Sequence, residues 1–258
     1  MTTTDLAARR AAFRQLHESG CFILPNPWNA GGARRLQKLG FRAIASTSSG
    51  AAWALGREDG EMSLDEVLAH LAMLCDATDL PVNADFEAGF ADAPEGVAAN
   101  VARAVETGVA GLSIEDRTGS DLYDFELAVE RMRAAREAID GAAREVLLVG
   151  RSEGFLIGQT ELDATIKRLR AYAEAGADCL YAPGISDRSM IAEVVAAVAP
   201  KPVNVLLSTT DLSVPELAAL GVRRVSVGGA LAKATWRRFD EVASTLKEKG
   251  TLPPRPPA

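Results

Sequence analysis

Apolar and polar positions follow two alternating patterns along the chain. Short apolar runs typical of buried strands recur eight times; they cover residues 21–26, 41–47, 80–87, 108–116, 145–151, 177–184, 201–209 and 222–229. The longer stretches between them have the three- to four-residue apolar spacing that is typical of amphipathic helices. Four of these predicted helices end in a glycine directly before the next strand, as a left-handed helix C-terminus requires; these are Gly40, Gly108, Gly176 and Gly221.

This strand–helix alternation predicts parallel strands joined by right-handed crossovers. Eight repeats in 258 residues favour an α/β fold of the (β/α)8 TIM-barrel type over an open sheet. No glycine fingerprint of the dinucleotide-binding type follows the first strand, which weakens the open-sheet alternative further. We expect one domain over residues 1–250, with a helix preceding the barrel, and an extended proline-rich tail over residues 251–258.

Composition narrows the classes of partner. A net charge of −7 argues against a nucleic acid or an anionic membrane, both of which favour a basic surface. No apolar stretch approaches the ~20 residues that span a bilayer. The N-terminal segment resembles an amphipathic helix without a signal-peptide core. These features predict a cytoplasmic protein.

Cysteine and histidine usage narrows the chemistry. The three cysteines lie far apart without metal-ligand spacing, and we expect them to be buried apolar residues in a reducing compartment. Only His17 and His70 are present. A histidine-based triad or zinc site is therefore not expected, and the chemistry should depend on carboxylates, arginine, hydroxyls or a hard metal ion.

Polar side chains cluster where the third predicted strand ends. Asn83, Asp85 and Glu87 occupy alternate positions, so on a strand they share one face. The intervening positions are apolar and suit the helix layer, which directs the three polar groups towards the barrel axis. Barrel enzymes place their active sites at the C-terminal ends of the strands. We expect this face to belong to such a site.

The neighbouring strands add charged groups at the same end of the barrel. By the same alternation Glu115 points inward on the fourth strand, Asp116 points outward or into the following loop, and Arg151 points inward on the fifth. Carboxylates that converge in this way require a counter-ion, and Mg²⁺ prefers such oxygen ligands while keeping several waters. The hydroxyl-rich segment 46–50 is expected to be a turn whose backbone N–H groups suit a carboxylate or phosphate.

Several motifs together resemble the isocitrate lyase/phosphoenolpyruvate mutase superfamily over nearly the whole length of the chain. They are PNPWNAGGARRLQKLGFRAIASTSSG (25–50), LGREDG (55–60), PVNADFEAGF (81–90), GLSIED (111–116), GRSEG (150–154) and PVNVL…LGVRRVSVG (202–228). The resemblance implies cleavage or formation of a C–C or C–P bond next to a 2-oxo acid, with Mg²⁺ (or Mn²⁺) stabilising an enolate. A small dicarboxylate or 2-oxo acid is the implied substrate.

The resemblance also implies roles for individual positions. Asp85 would bind the metal directly, and the carboxylates that order its water shell would be Asp59, Glu87 and Glu115. The implied substrate-binding residues are Ser46, Thr47, Ser48, Arg151 and Asn204. The implied catalytic residues are Arg151, Asp59 and Glu115.

The chain departs from the superfamily after the fourth strand. Lyases of the superfamily carry a loop there whose cysteine protonates the leaving carbanion, whereas this chain reads IEDRTGSDLYDFELAVERM. Tyr123 or Arg117 could supply a proton instead, although a solvated loop position is the preferred interpretation of both. The alternatives are a non-catalytic binder of pyruvate, oxaloacetate or 2-oxoglutarate, and a phosphonopyruvate-type C–P hydrolase. A barrel that holds a phosphorylated substrate at Gly228–Gly229 is a further alternative.

The resemblance also bears on the last predicted helix, which contains Trp236. In the superfamily, tetramers with an exchanged C-terminal helix are common. The resemblance therefore implies a homo-oligomer, a tetramer or a dimer, with this helix at the interface.

Overall fold

Each predicted apolar run contains one barrel strand. The computed structural model describes residues 3–142 and 145–254. Its parallel strands are β1 (Phe22–Leu24), β2 (Ile44–Ala45), β3 (Val82–Asp85), β4 (Gly111–Glu115), β5 (Leu147–Arg151), β6 (Cys179–Tyr181), β7 (Val203–Leu206) and β8 (Arg224–Ser226). The predicted (β/α)8 architecture is confirmed.

The strands pair in the order β1-β8-β7-β6-β5-β4-β3-β2. The two ends of this order meet, because the Ala45 N–H donates to the Pro25 carbonyl at 3.0 Å. Asn26 reinforces the seam by donating from Nδ2 to the Ser46 carbonyl at 2.8 Å. The sheet is thus nearly closed, and all eight C-terminal strand ends open at one mouth.

Helices follow the strands around the outside of the barrel. They are α1 (Thr3–Leu16), α2 (Ala30–Lys38), α3 (Ser48–Ala54), α4 (Leu64–Ala77), α5 (Pro94–Glu106), α6 (Phe125–Gly141), α7 (Leu162–Glu174), α8 (Arg188–Val198), α9 (Val214–Ala219) and α10 (Ala230–Lys249). The four glycines predicted to end helices have φ of 85°, 95°, 106° and 89°, in the left-handed region that favours glycine. None of the described helices has the length and apolar character needed to cross a bilayer.

Helix α1 closes the N-terminal end of the barrel. Phe13 is fully buried and packs with Phe22, Leu24 and Leu147, while Arg10 donates to the Val109 carbonyl at 3.1 Å. Gly111 is required beneath this contact, because a Cβ there would lie 2.7 Å from Phe13 Cε1. The mouth is consequently the open end of the barrel.

Between this apolar plug and the mouth lies a buried polar layer. Arg224 donates from Nε to Asn204 Oδ1 at 2.9 Å and from Nη1 to Asn83 Oδ1 at 3.3 Å. His17 contacts the same guanidinium, with Nε2 3.5 Å from Nη1. Burial, together with the Arg224 charge, lowers the pKa of His17 to about 3. The imidazole is therefore neutral and serves as an acceptor for the guanidinium.

Three expectations about the outer parts of the chain have different outcomes. The cysteines are free thiols; Cys75 and Cys179 are buried, as predicted, whereas Cys21 is half-buried. Residues 255–258 of the predicted tail lie outside the described residues. The assignment of residues 1–250 to a single domain stays a prediction.

Candidate active site

Asp85, the last residue of β3, is bonded on three sides. Its N–H donates to Ser46 Oγ at 2.8 Å, and its Oδ2 accepts the Ser48 N–H at 3.0 Å. Its Oδ1 accepts from Arg151 Nη1, also at 3.0 Å. The ends of β2, β3 and β5 therefore meet at this carboxylate, as the strand alternation predicted.

Arg151 connects the acidic groups at the mouth. Its Nη1 lies 3.3 Å from Glu115 Oε2, and its Nε donates to Glu153 Oε1. The guanidinium carbon lies 5.3 Å from the centre of the Tyr181 ring. Burial opposes the charge of Arg151, but Glu115, Glu153 and Asp85 hold its pKa well above the usual range. The guanidinium is permanently charged.

The surrounding carboxyl groups carry more negative charge than Arg151 neutralises. Burial, together with the charges of Asp85 and Asp59, raises the pKa of Glu87 to about 7. Burial also raises the pKa of Glu115, an effect that its contact with Arg151 only partly offsets. Burial is the largest cause of both shifts, and the neighbouring carboxylates add to it, so several acidic groups are held close together around one guanidinium.

Asp59 lies at the rim of the same mouth. Its side chain is hydrogen-bonded to Ser48, and loss of hydration together with the Asp85 charge raises its pKa although part of the residue remains exposed. The next residue, Gly60, lies near Glu87, since a Cβ there would be 4.0 Å from Oε2. The end of the LGREDG segment is thus close to the acidic cluster.

The cluster does not have the arrangement of a closed protein cage for a metal. Among the described residues, no three His, Cys, Asp or Glu side chains converge closely enough to hold a metal ion together. One guanidinium nevertheless contacts three carboxylates, those of Asp85, Glu115 and Glu153. Surplus oxygen ligands with unneutralised charge suit a hard divalent cation that retains water molecules.

Two local predictions are corrected. Segment 46–50 is not merely a turn: it opens helix α3, and Thr47 caps the helix by accepting the Gly50 N–H at 3.3 Å. Strand β3 ends at Asp85, and Glu87 has a left-handed backbone with φ of 46°. A left-handed turn, rather than strand alternation, therefore places Glu87 beside Asp85 and Asp59.

Two other predicted positions lie in closely packed surroundings. Asn204 is buried below the mouth, where it donates to Ser226 Oγ at 3.0 Å and accepts from Arg224. Gly229 packs against α3, because a Cβ there would lie 2.9 Å from the Trp53 ring and 3.0 Å from Ser49 Oγ. This packing accounts for the Gly228–Gly229 pair without a phosphate.

A short hairpin occupies the position where the superfamily's lyases carry their cysteine loop. Its strands are Arg117–Thr118 and Asp121–Leu122. Arg117 is exposed, as expected, but Tyr123 is buried rather than solvated. The Tyr123 hydroxyl donates to Asp92 Oδ1 at 2.5 Å, and the Arg131 guanidinium lies 3.9 Å from the centre of its ring. These contacts direct the hydroxyl to Asp92.

Sequence reasoning missed Glu153 and the burial of Asp116. Glu153 is only 1% exposed and contacts Arg151 from behind. The available signal was the Arg-Ser-Glu spacing directly after β5, which places a carboxylate two residues beyond the arginine. Asp116 was expected to point outward or into the loop, and it is instead 3% exposed.

Comparison with known proteins identifies the family. The model of the phosphoenolpyruvate phosphomutase family matches residues 13–247. The 2-methylisocitrate lyase of Escherichia coli K12 is 30% identical over 240 residues, which cover 86% of this chain and 79% of that protein. The chain belongs to the isocitrate lyase/phosphoenolpyruvate mutase superfamily. It is thus a member of a superfamily of carbon–carbon lyases and mutases.

Further relatives within this superfamily differ in activity. An oxaloacetate decarboxylase of Bradyrhizobium diazoefficiens is 31% identical, with 93% of this chain and 86% of that protein covered. The crystal structure of a protein from Burkholderia cenocepacia J2315, described as a candidate lyase/mutase, is similar to this structure with a TM-score of 0.94 at 47% sequence identity. The match covers 97% of this chain and 91% of that protein. The superfamily fold is therefore well matched while the reactions of its members diverge.

Proposed function

We propose that this protein is a divalent-metal-dependent lyase that cleaves a C–C bond next to a 2-oxo or 2-hydroxy acid, with a small dicarboxylate as substrate. The observation that carries the proposal is the surplus of carboxylates around Arg151 at the barrel mouth. The named relatives support it, because 2-methylisocitrate lyase and oxaloacetate decarboxylase both act on small carboxylic acids.

Asp85 is the residue we assign to the metal, with Asp59, Glu87 and Glu115 acting through water molecules. This division fits a site in which no three acidic side chains converge among the described residues. Mg²⁺ is the first candidate and Mn²⁺ the alternative, since both accept oxygen ligands. When bound, such an ion supplies Lewis-acid stabilisation of the negative charge that develops on the substrate's 2-oxygen.

The remaining residues bind and orient the substrate. Arg151 offers a fixed cation to the substrate's carboxylate or carbonyl oxygen. Ser46, Thr47 and Ser48, at and just before the start of α3, are our candidates for the second carboxylate contact, because helix N-termini favour anions. The Ser48 N–H already donates to Asp85 Oδ2. Thr47 Oγ1 already bonds Ser49 Oγ at 3.1 Å, so its backbone is the better candidate. Asn204 would act from below the mouth.

Two alternatives follow from the hairpin after β4. Since the hairpin carries neither cysteine nor histidine and Tyr123 is bonded to Asp92, a non-catalytic 2-oxo-acid binder is the second candidate function. A C–P hydrolase of the phosphonopyruvate type is the third. All three share the metal and the 2-oxo-acid end of the site and differ in whether, and which, bond is broken.

Thermal unfolding with and without Mg²⁺, across a panel of 2-oxo acids, tests the proposal. A ligand present at about 100 times its Kd adds about 2.7 kcal/mol to the free energy of unfolding. We expect an oxo acid to stabilise the protein only when Mg²⁺ is present, and Asp85→Ala to abolish the effect. Stabilisation that survives this substitution would contradict the metal site. Binding without turnover of any dicarboxylate would favour the binder.

We also propose that the protein is a homo-oligomer, a tetramer or a dimer. Only Ala232 is buried along the twenty residues of α10. Trp236, Phe239 and Leu246 are exposed on it, which suits a helix that packs against another copy. Light scattering of the wild-type protein and of Trp236→Ser tests this. A monomeric wild-type protein at micromolar concentration would contradict it.

A further inference from the structure

Glu153 is a buried carboxylate that the proposed roles leave without a task. It lies two residues beyond the end of β5 and is 1% exposed. Its Oε1 accepts the Nε–H of Arg151. A buried carboxylate is costly unless it is paired, so this contact both neutralises Glu153 and fixes one edge of the guanidinium.

Glu153 is itself held from behind by Asp116. The Glu153 N–H donates to Asp116 Oδ1 at 2.8 Å, and Ser152 Oγ donates to Oδ2 at 3.0 Å. The same Oδ2 accepts the Tyr172 hydroxyl at 2.6 Å, and Arg168 lies 3.4 Å from it. Tyr172 and Arg168 both belong to α7. The backbone that presents Glu153 is therefore anchored to the helix layer through Asp116.

This restraint determines how Arg151 meets Asp85. With Nε bonded to Glu153, only Nη1 reaches Asp85 and Glu115, at 3.0 and 3.3 Å. None of the described residues bonds Nη2. An arginine that is free to rotate prefers a two-bond fork on a carboxylate. Such a fork would add a second guanidinium bond at Asp85 Oδ2, which already accepts the Ser48 N–H, and would leave less of the carboxylate free for a cation.

We propose that Glu153 is a positioning residue that holds Arg151 edge-on, so that Asp85 stays accessible to a divalent cation and Nη2 faces the substrate. This inference rests on the proposed function, since it assigns a purpose to the Asp85 site. Glu153 contacts neither cation nor substrate in this arrangement and acts only through Arg151.

Calorimetric titration with Mn²⁺ alone tests the effect on the cation. Glu153→Gln keeps the size of the side chain and an oxygen acceptor but removes the charge. We expect Mn²⁺ to bind 10- to 100-fold more weakly, the range found when residues that orient metal-site groups are replaced. Glu137→Gln, an exposed glutamate on α6, makes the same change of charge elsewhere and should leave the Kd unchanged. An unchanged Kd in folded Glu153→Gln overturns the proposal.

A second measurement needs neither substrate nor cation. The Nε–H resonance of Arg151, in protein labelled with ¹⁵N-arginine and assigned by its absence in Arg151→Lys, should exchange slowly with water. Exchange as fast as that of an exposed arginine in the wild-type protein overturns the positioning role, even if Glu153→Gln fails to fold. By contrast, wild-type protein that protects this proton but binds no Mn²⁺ overturns the proposed function and leaves the Glu153–Arg151 contact standing as a structural one.

Discussion

Two buried arginines lie inside the same barrel in opposite surroundings. Arg151, at the mouth, contacts the carboxylates of Asp85, Glu115 and Glu153. Arg224, nearer the closed end, contacts the neutral groups of Asn204, Asn83 and His17. Burial lowers the pKa of Arg224, whereas the carboxylates raise that of Arg151. The difference separates a region built around surplus charge from one built for hydrogen-bonded packing.

Only the region around Arg151 has the surroundings expected of a ligand-binding or catalytic site. Buried charges without compensation are expensive, and a fold retains them where a ligand completes the balance. At the mouth the carboxylates outnumber the arginine and the region is open to solvent, so a cation can bind there. Around Arg224 every described contact is an amide or imidazole acceptor in a closed layer, which suits stability alone.

The largest expected effect comes from removing each cation in turn. Arg151→Met leaves buried Glu153 and half-buried Glu115 without their partner and should reduce the free energy of unfolding by about 3–5 kcal/mol at pH 8. The loss should shrink as the pH falls to 6.5, because burial already raises the pKa of Glu115 and this group, without Arg151, takes up a proton in the folded state.

Arg224→Met is the matched control for this experiment. It leaves two amide acceptors without donors and should cost about 1–3 kcal/mol for each unmet group. Since none of the carboxylates in the described part of the chain contacts Arg224, the loss should stay constant between pH 6.5 and 9. Urea unfolding at several pH values measures both variants. An equal pH dependence for the two would remove the proposed distinction between the regions.

A smaller effect is expected from overpacking the closed end. In Gly111→Ala the new Cβ would lie 2.7 Å from Phe13 and 2.8 Å from Asn83 Oδ1. We expect a loss of about 1–3 kcal/mol by thermal unfolding, with Mn²⁺ affinity unchanged. Gly141→Ala, on the last turn of α6 with open space around it, should be neutral or slightly stabilising. A change in Mn²⁺ affinity with Gly111→Ala would show that the two regions are coupled.

The smallest expected effect is the change in the free energy of unfolding per pH unit that the titration of His17 causes. His17 has its pKa lowered to about 3 by burial and by Arg224, so the unfolded chain binds this proton below pH 6.5 and the folded protein does not. Above pH 6.5 His17 is neutral in both the folded and the unfolded protein, and it does not reduce the free energy of unfolding. As the pH falls from 6.5 towards 3, the free energy of unfolding decreases by about 1.4 kcal/mol per pH unit. His17→Gln should flatten the acid limb of the stability curve by one proton. Burial also lowers the pKa of His70, so in His17→Gln the pH dependence that His70 causes should remain. An unchanged slope would show that His17 titrates normally.

Much of the mouth could be predicted because regular structure governs it. Asp85, Glu115 and Arg151 end their strands with the expected orientation, and parallel strands in a barrel bring such ends together. Strand alternation does not determine the positions of Glu153 and Glu87, because both residues follow the last residue of their strands. Helix α3 was missed although Thr47 and the following serines provide an N-terminal cap, because seven residues without amphipathic spacing resemble a turn.

The sequence by itself determined the barrel and the strand ends that carry acidic groups and arginine, because hydrophobic periodicity and glycine caps are local properties. Only the tertiary structure decided which charges are paired and which remain in surplus. Asp116 shows the reason: its partners Ser152, Arg168 and Tyr172 are 36, 52 and 56 residues away along the chain. Electrostatic balance depends on distances through space, and no local pattern records them.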